Sequence, residues 1–133
     1  MKNTIDIHLP DEFSTYITKN EVRMIADETL DILEISTYFV EIDFVSASVI
    51  SDLNTKFRKI KKPTDVLSFP QQNPAESKIN FLGSIVIAPE IVKHKKEAMD
   101  DVIKHGLLHL LGYDHETNED FWNSVARKIN CKL

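Results

Sequence analysis

FLGSIVIA (residues 81–88) decides the fold of this chain. The stretch is almost continuously apolar, rich in β-branched residues, and ends at Pro89. A strand of that composition is expected to be buried on both faces, and so to lie inside a sheet rather than on a surface ribbon. Just before it come TDVLSF (64–69), closed by Pro70, and the polar loop QQNPAESKIN (71–80). No helix-length crossover separates the two apolar runs, so they are expected to pair antiparallel. Further upstream the order differs. TIDIHL (4–9) alternates Ile5, Ile7 and Leu9; TKNEVRMIADETLDIL (18–33) carries Val22, Ile25, Ala26, Thr29 and Leu33 at helical spacing, with Thr18 and Glu21 spaced as a capping box. TYFVEIDFV (37–45) alternates again, and SVISDLNTKF (48–57) puts Val49, Leu53 and Phe57 at helical spacing. Strand, helix, strand, helix is the start of a parallel βαβ arrangement. The expectation is an α/β (α+β) fold with a four-stranded mixed sheet, three strands parallel and one antiparallel, and about five helices.

Downstream, Pro89 suits a first helical position. PEIVKHKKEAMDDVIKHGLLHLL (89–111) reads as helix with one break, ended by Gly112. Thr117 and Asp120 resemble a cap for a last helix, TNEDFWNSVARKI (117–129), with Phe121, Val125 and Ile129 as its apolar stripe.

With 133 residues, an ordinary apolar fraction of 42% and no repeat or long linker, residues 1–133 are expected to form a single domain. No apolar run approaches the ~20 residues that span a bilayer. The N-terminus MKNTIDIHLPDEF has an acidic residue at position 6 and no apolar h-region, so no signal peptide is expected. One cysteine, Cys131, cannot form an internal disulfide. These features favour the cytoplasm. The net charge of −5 argues against a general nucleic-acid binder, yet KFRKIKK (56–62) gathers Lys56, Arg58, Lys59, Lys61 and Lys62 into seven residues. That segment is either a solvated basic loop or a patch that attracts phosphate.

The chemistry is concentrated in HGLLHLLGYDH (105–115). Positions i and i+4 share a helix face, so His105 and His109 can aim at one ion. Gly112 allows the chain to turn back, and His115 can then supply a third imidazole. Three histidines with an open fourth position suit a catalytic zinc; a fourth protein ligand would instead make the metal structural. Asp114 either orients an imidazole or serves the turn. His8 and His94 receive no role. The metzincin pattern H-E-x-x-H-x-x-G-x-x-H fits at every position but one: Gly106 stands where the glutamate base belongs. Peptide hydrolysis of the zincin type therefore lacks its base.

Three blocks, LNTKFR with PTDVLSFP (53–58, 63–70), LGSIVIAP (82–89) and HGLLHLLGYDH (105–115), resemble the bacterial YbeY endoribonuclease family of ribosomal RNA maturation factors. The resemblance runs from SVISDLNTKF onward. It implies a zinc-dependent, single-strand-specific endoribonuclease acting in ribosomal RNA processing and small-subunit quality control. It implies one zinc per chain on His105, His109 and His115, a zincin-like active-site helix, and Arg58 and His105 as catalytic residues. Lys56, Lys59, Lys61 and Lys62 are then candidate RNA contacts, and the partners ribosomal RNA and small-subunit components, with no membrane. The chain departs from the family in having Ile60-Lys61 where members often have Lys-Asp, and Gly83-Ser84 where they often have Gly-Asp. Two other readings stand beside this one: a zincin-type metallopeptidase, and a non-catalytic ribosome-assembly factor with a structural zinc.

Overall fold

The structure is a computed structural model and describes residues 3–71, 80–113 and 118–132. Among these residues four strands form one sheet in the order β1-β2-β4-β3. Strand β1 (Thr4–His8) runs parallel to β2 (Phe39–Phe44), and β2 parallel to β4 (Phe81–Ile87). Strand β3 (Val66–Pro70) pairs antiparallel with β4, Ser68 opposite Ile85. The mixed sheet is the one expected. The last strand in sequence is interior, and β3 takes the edge, where Pro70 is tolerated because one side needs no ladder donor.

Among the described residues five helices cover the sheet: α1 (Lys19–Ile32), α2 (Ala47–Arg58), α3 (Pro89–His94), α4 (Met99–Leu110) and α5 (Glu119–Lys128). A short 3₁₀ turn, Asp11–Phe13, follows β1. The box at the start of α1 is closed both ways: Glu21 N donates to Thr18 Oγ1 at 3.1 Å, and Thr18 N to Glu21 Oε1 at 3.1 Å. Pro89 opens α3, and the expected break falls between α3 and α4.

The main core lies between the sheet and helices α1 and α4. Ile5, Ile7, Val40, Ile42, Phe44, Ile85 and Ile87 point there from the strands and meet Val22, Ala26, Leu30, Val102, Ile103 and Leu107. On the other face Leu67 and Val86 pack on Ile50 of α2. Strand β4 is therefore covered on both sides, which explains its unbroken apolar sequence.

Three sequence expectations shift by one residue. In α2 the buried positions are Ile50 and Asn54, while Val49 and Phe57 are exposed. Buried Asn54 donates from Nδ2 to Lys62 O at 2.9 Å, which ties the basic segment to the helix, while its Oδ1 has no hydrogen-bond partner among the described residues. In α5 the inward residue is Trp122, not Phe121, which is exposed; Trp122, Val125, Ala126 and Ile129 form the stripe. The cap of α5 is Asn118, whose Oδ1 accepts from Phe121 N at 3.3 Å. Thr117 lies outside the described residues. In each case the side chain that reaches a tertiary partner takes the inner face, and helical spacing alone does not choose between adjacent stripes.

Candidate active site

Helix α4 carries the first two histidines on one face. Their rings lie 4.7 Å apart between centroids, and His105 Nε2 and His109 Nε2 approach to 3.1 Å. Both residues are half-buried. Tetrahedral zinc with Zn–N near 2.0–2.1 Å places its ligand nitrogens about 3.3–3.4 Å apart. The observed spacing is within a few tenths of an ångström of that, so the pair fits two sites of one ion. Among the described residues no third His, Cys, Asp or Glu joins them. The expected third ligand, His115, and its neighbour Asp114 lie outside the described residues. Gly112 has φ +90°, the left-handed turn expected where α4 ends, and a Cβ there would touch nothing; only its backbone conformation demands glycine.

Trp122 is the residue that helical spacing missed. Its ring lies 5.1 Å from that of His105 and 5.2 Å from that of His109. It is 2% exposed and backs both imidazoles, restricting their rotation. The available signal was the chain's only tryptophan at the head of the 122, 125, 126, 129 stripe.

Gly106 has a positive structural reason. Its helix face rests on β4, and a Cβ there would stand 2.9 Å from Ile85 Cγ2, a fully buried side chain. Ser68 Oγ of β3 donates to Gly106 O at 3.0 Å, which ties the edge strand to the residue after His105. The position of the missing glutamate is thus a packing contact. Gly106→Ala should destabilise by about 1–2 kcal/mol, because overpacking a stiff β-branched neighbour costs ~1–3 and helix propensity returns up to ~1. Urea unfolding checks this; a more stable variant would mean that Ile85 gives way freely.

Arg58 ends α2 and lines a cavity of about 470 Å³ with Phe57, Leu67, Ser68, Phe69 and Gln71. Ser68, one of these lining residues, also donates to Gly106 O, so edge strand β3 connects the cavity to the histidine helix, although no residue of α4 lines the cavity itself. Lys56, Lys59, Lys61 and Lys62 are exposed and do not line it. Lys59 adopts φ +62° as the cap of α2, and Lys56 and Arg58 sit in the helix's last turn, where the dipole favours cations.

Behind β3 is a carboxyl pair that the sequence did not announce. Burial pushes Glu97 up, and a hydrogen bond with Asp65 and that group's charge lift it further, to about 7. Burial also pushes Asp65 up, but Glu97, Lys95 and the hydrogen bonds to its carboxylate outweigh this and hold it below its ordinary value. Lys95 Nζ is 3.7 Å from Asp65 Oδ1, and Val66 N donates to that oxygen at 2.9 Å. Glu97 Oε2 is buried with no hydrogen-bond partner among the described residues, which adds to the cost of its charged form. The folded chain thus keeps a proton on Glu97 between about pH 4.5 and 7 that the unfolded chain releases. The stability from this group is present at the acid end of that window and is lost as pH rises through it. Asp65 acts oppositely, losing its contribution only as pH falls below the ordinary carboxylate range. Melting temperature should accordingly decline less from pH 5 to pH 8 in Glu97→Gln than in the unaltered chain; parallel declines would remove Glu97 as the source.

Residues 6–128 match the family described as Endoribonuclease YbeY. A protein of that name from Sulfurihydrogenibium sp. (strain YO3AOP1) is 34% identical over 147 aligned residues, covering 99% of this chain and 96% of that one. Another, from Persephonella marina, is 37% identical and covers 77% of this chain and 73% of its own. The fold is similar to the solution structure of TM1509 from Thermotoga maritima, with TM-score 0.55 and 25% identity over 95% of this chain and 87% of that one. No helix among the described residues is long and apolar enough to cross a membrane. A match that runs from β1 to the end of α5, through the arginine cavity and the histidine helix, makes this chain a member of the YbeY endoribonuclease family.

Proposed function

We propose that the protein is an endoribonuclease that cuts single-stranded RNA with one zinc ion held by His105, His109 and His115, and that its substrate is ribosomal RNA maturing with the small subunit in the cytoplasm. The observation that carries the reading is the convergence of two imidazole nitrogens at 3.1 Å on a helix hydrogen-bonded to Ser68, a residue that lines the cavity of Arg58. When bound, zinc supplies Lewis-acid polarisation of a phosphoryl oxygen or a water of lowered pKa.

The chain's own groups do the rest. Arg58 presents a planar fork of donors that matches two non-bridging phosphate oxygens. It neutralises charge that grows on them as the P–O bond is cut. Trp122 holds the two imidazoles in place, and the Ser68–Gly106 hydrogen bond keeps β3, and with it the cavity floor, in register with α4. Lys56, Lys59, Lys61 and Lys62 draw the RNA backbone in by screened phosphate attraction. The contact between Gly106 and Ile85 counts against the peptidase alternative, since a side chain able to act as base has no room there.

The test is cleavage of a structured RNA with single-stranded loops by the zinc-loaded protein, beside His109→Ala and Arg58→Ala, with casein as the control substrate. RNA cut within loops by the unaltered chain alone supports the reading. Casein hydrolysis with intact RNA would replace it by the peptidase.

A further inference from the structure

Phe57 is 55% exposed although it sits in the last turn of a packed helix, next to Arg58. A single exposed aromatic needs no explanation. This one is not single. The Phe69 ring meets it at 5.2 Å and 69°, and both line the cavity that holds Arg58. Lys56 Nζ lies 5.3 Å from the Phe57 ring centre. Among the described residues no acidic side chain lines the cavity, and the exposed Lys59, Lys61 and Lys62 follow Arg58 in the chain. A flat apolar ring beside a guanidinium, inside a cationic surround, complements a ligand with flat apolar rings strung on an anionic backbone. Bases in a duplex already stack on one another; only unpaired ones can lie on a protein ring.

We infer that Phe57, braced by Phe69, is a stacking platform for one unpaired nucleobase of an RNA strand whose phosphate is held by Arg58. This rests on the RNA reading above and gives that site a base-binding position beside its phosphate-binding one. The platform grips any base by its face, so it selects single strands over duplexes without reading sequence. Phe57 is then a positioning residue: it holds the strand so that a phosphate falls at Arg58.

The experiment is a binding cycle with the zinc-loaded full chain. The ligands are a short 2′-O-methylated oligoadenylate, which resists cleavage through its 2′-oxygen, and an abasic oligomer of the same length and charge. The proteins are the unaltered chain, Phe57→Leu and Phe57→Tyr, each first shown to melt normally. Phe57→Leu should weaken oligoadenylate binding about 5- to 150-fold, the range of one lost base–aromatic stack, and leave the abasic oligomer unchanged. Phe57→Tyr should restore binding. Equal losses on both ligands, or no loss on either, would overturn the platform. So would an apolar peptide that competes as well as the oligoadenylate does, since it would make the groove a peptide site. The two readings fail separately. Base-dependent binding without RNA cleavage by the unaltered chain sinks the nuclease and keeps the platform. RNA cleavage with an unchanged KM in Phe57→Leu does the reverse.

Discussion

His105→Ala and His109→Ala are each expected to lose the zinc and, with it, RNA cleavage. The purified protein should carry about one zinc per chain. Each variant removes one of the two nitrogens that meet at 3.1 Å, and the two imidazoles left of the proposed three hold a divalent ion more weakly. Outer partners of a metal typically cost 10–100-fold in affinity or activity when removed; loss of a direct ligand should exceed that. Metal binding is linked to folding, so a chelator should lower the melting temperature of the unaltered chain and leave that of the double variant His105→Ala/His109→Ala in place. Full zinc occupancy in the double variant would sink the assignment. His115→Ala belongs in the same series and should behave alike. Trp122→Phe serves as a control for the packing behind the pair: it keeps an apolar ring there and should retain zinc.

Arg58→Ala is expected to slow the chemical step by about 2–4 kcal/mol, the cost of one lost donor to a developing oxyanion. The residue is exposed at the end of α2 and lines the cavity, so its removal should leave the fold alone. If the guanidinium meets charge that grows in the transition state, kcat should fall more than affinity. Arg58→Lys keeps the charge and loses the fork, and should rescue only in part. Zinc content should stay normal in both. Single-turnover cleavage at saturating enzyme, beside equilibrium binding of uncleaved RNA, separates the cases. Cleavage by Arg58→Ala at the unaltered rate once saturated would reduce Arg58 to a substrate contact. Loss of zinc would make its role structural.

Much of this molecule was legible in its sequence because local rules speak strongly where they agree. Alternation marked β1 and β2, and the unbroken apolar run of β4 marked burial on both faces. The short connection before β4 implied antiparallel pairing with β3, and the Thr18–Glu21 spacing became a closed capping box. The i, i+4 spacing put His105 and His109 on one face, and Gly112 takes the positive φ expected where α4 ends.

Tertiary packing decided what periodicity leaves degenerate. A helix with apolar residues on adjacent stripes can face either way, and the sheet chose Ile50 over Val49 while the histidine pair chose Trp122 over Phe121. Gly106 read as an absent base in the sequence; in the fold it is the point where α4 comes closest to Ile85. The Asp65–Glu97 pair joins residues 32 positions apart and has no local signature at all. Sequence by itself determined which elements form and which residue types could bind a metal, since both follow from spacing along one segment. The tertiary structure alone decided which of two adjacent helix faces is buried, which carboxyl groups come close enough to interact and which aromatic rings line the cavity beside Arg58, because those depend on surfaces that meet only once the chain has folded.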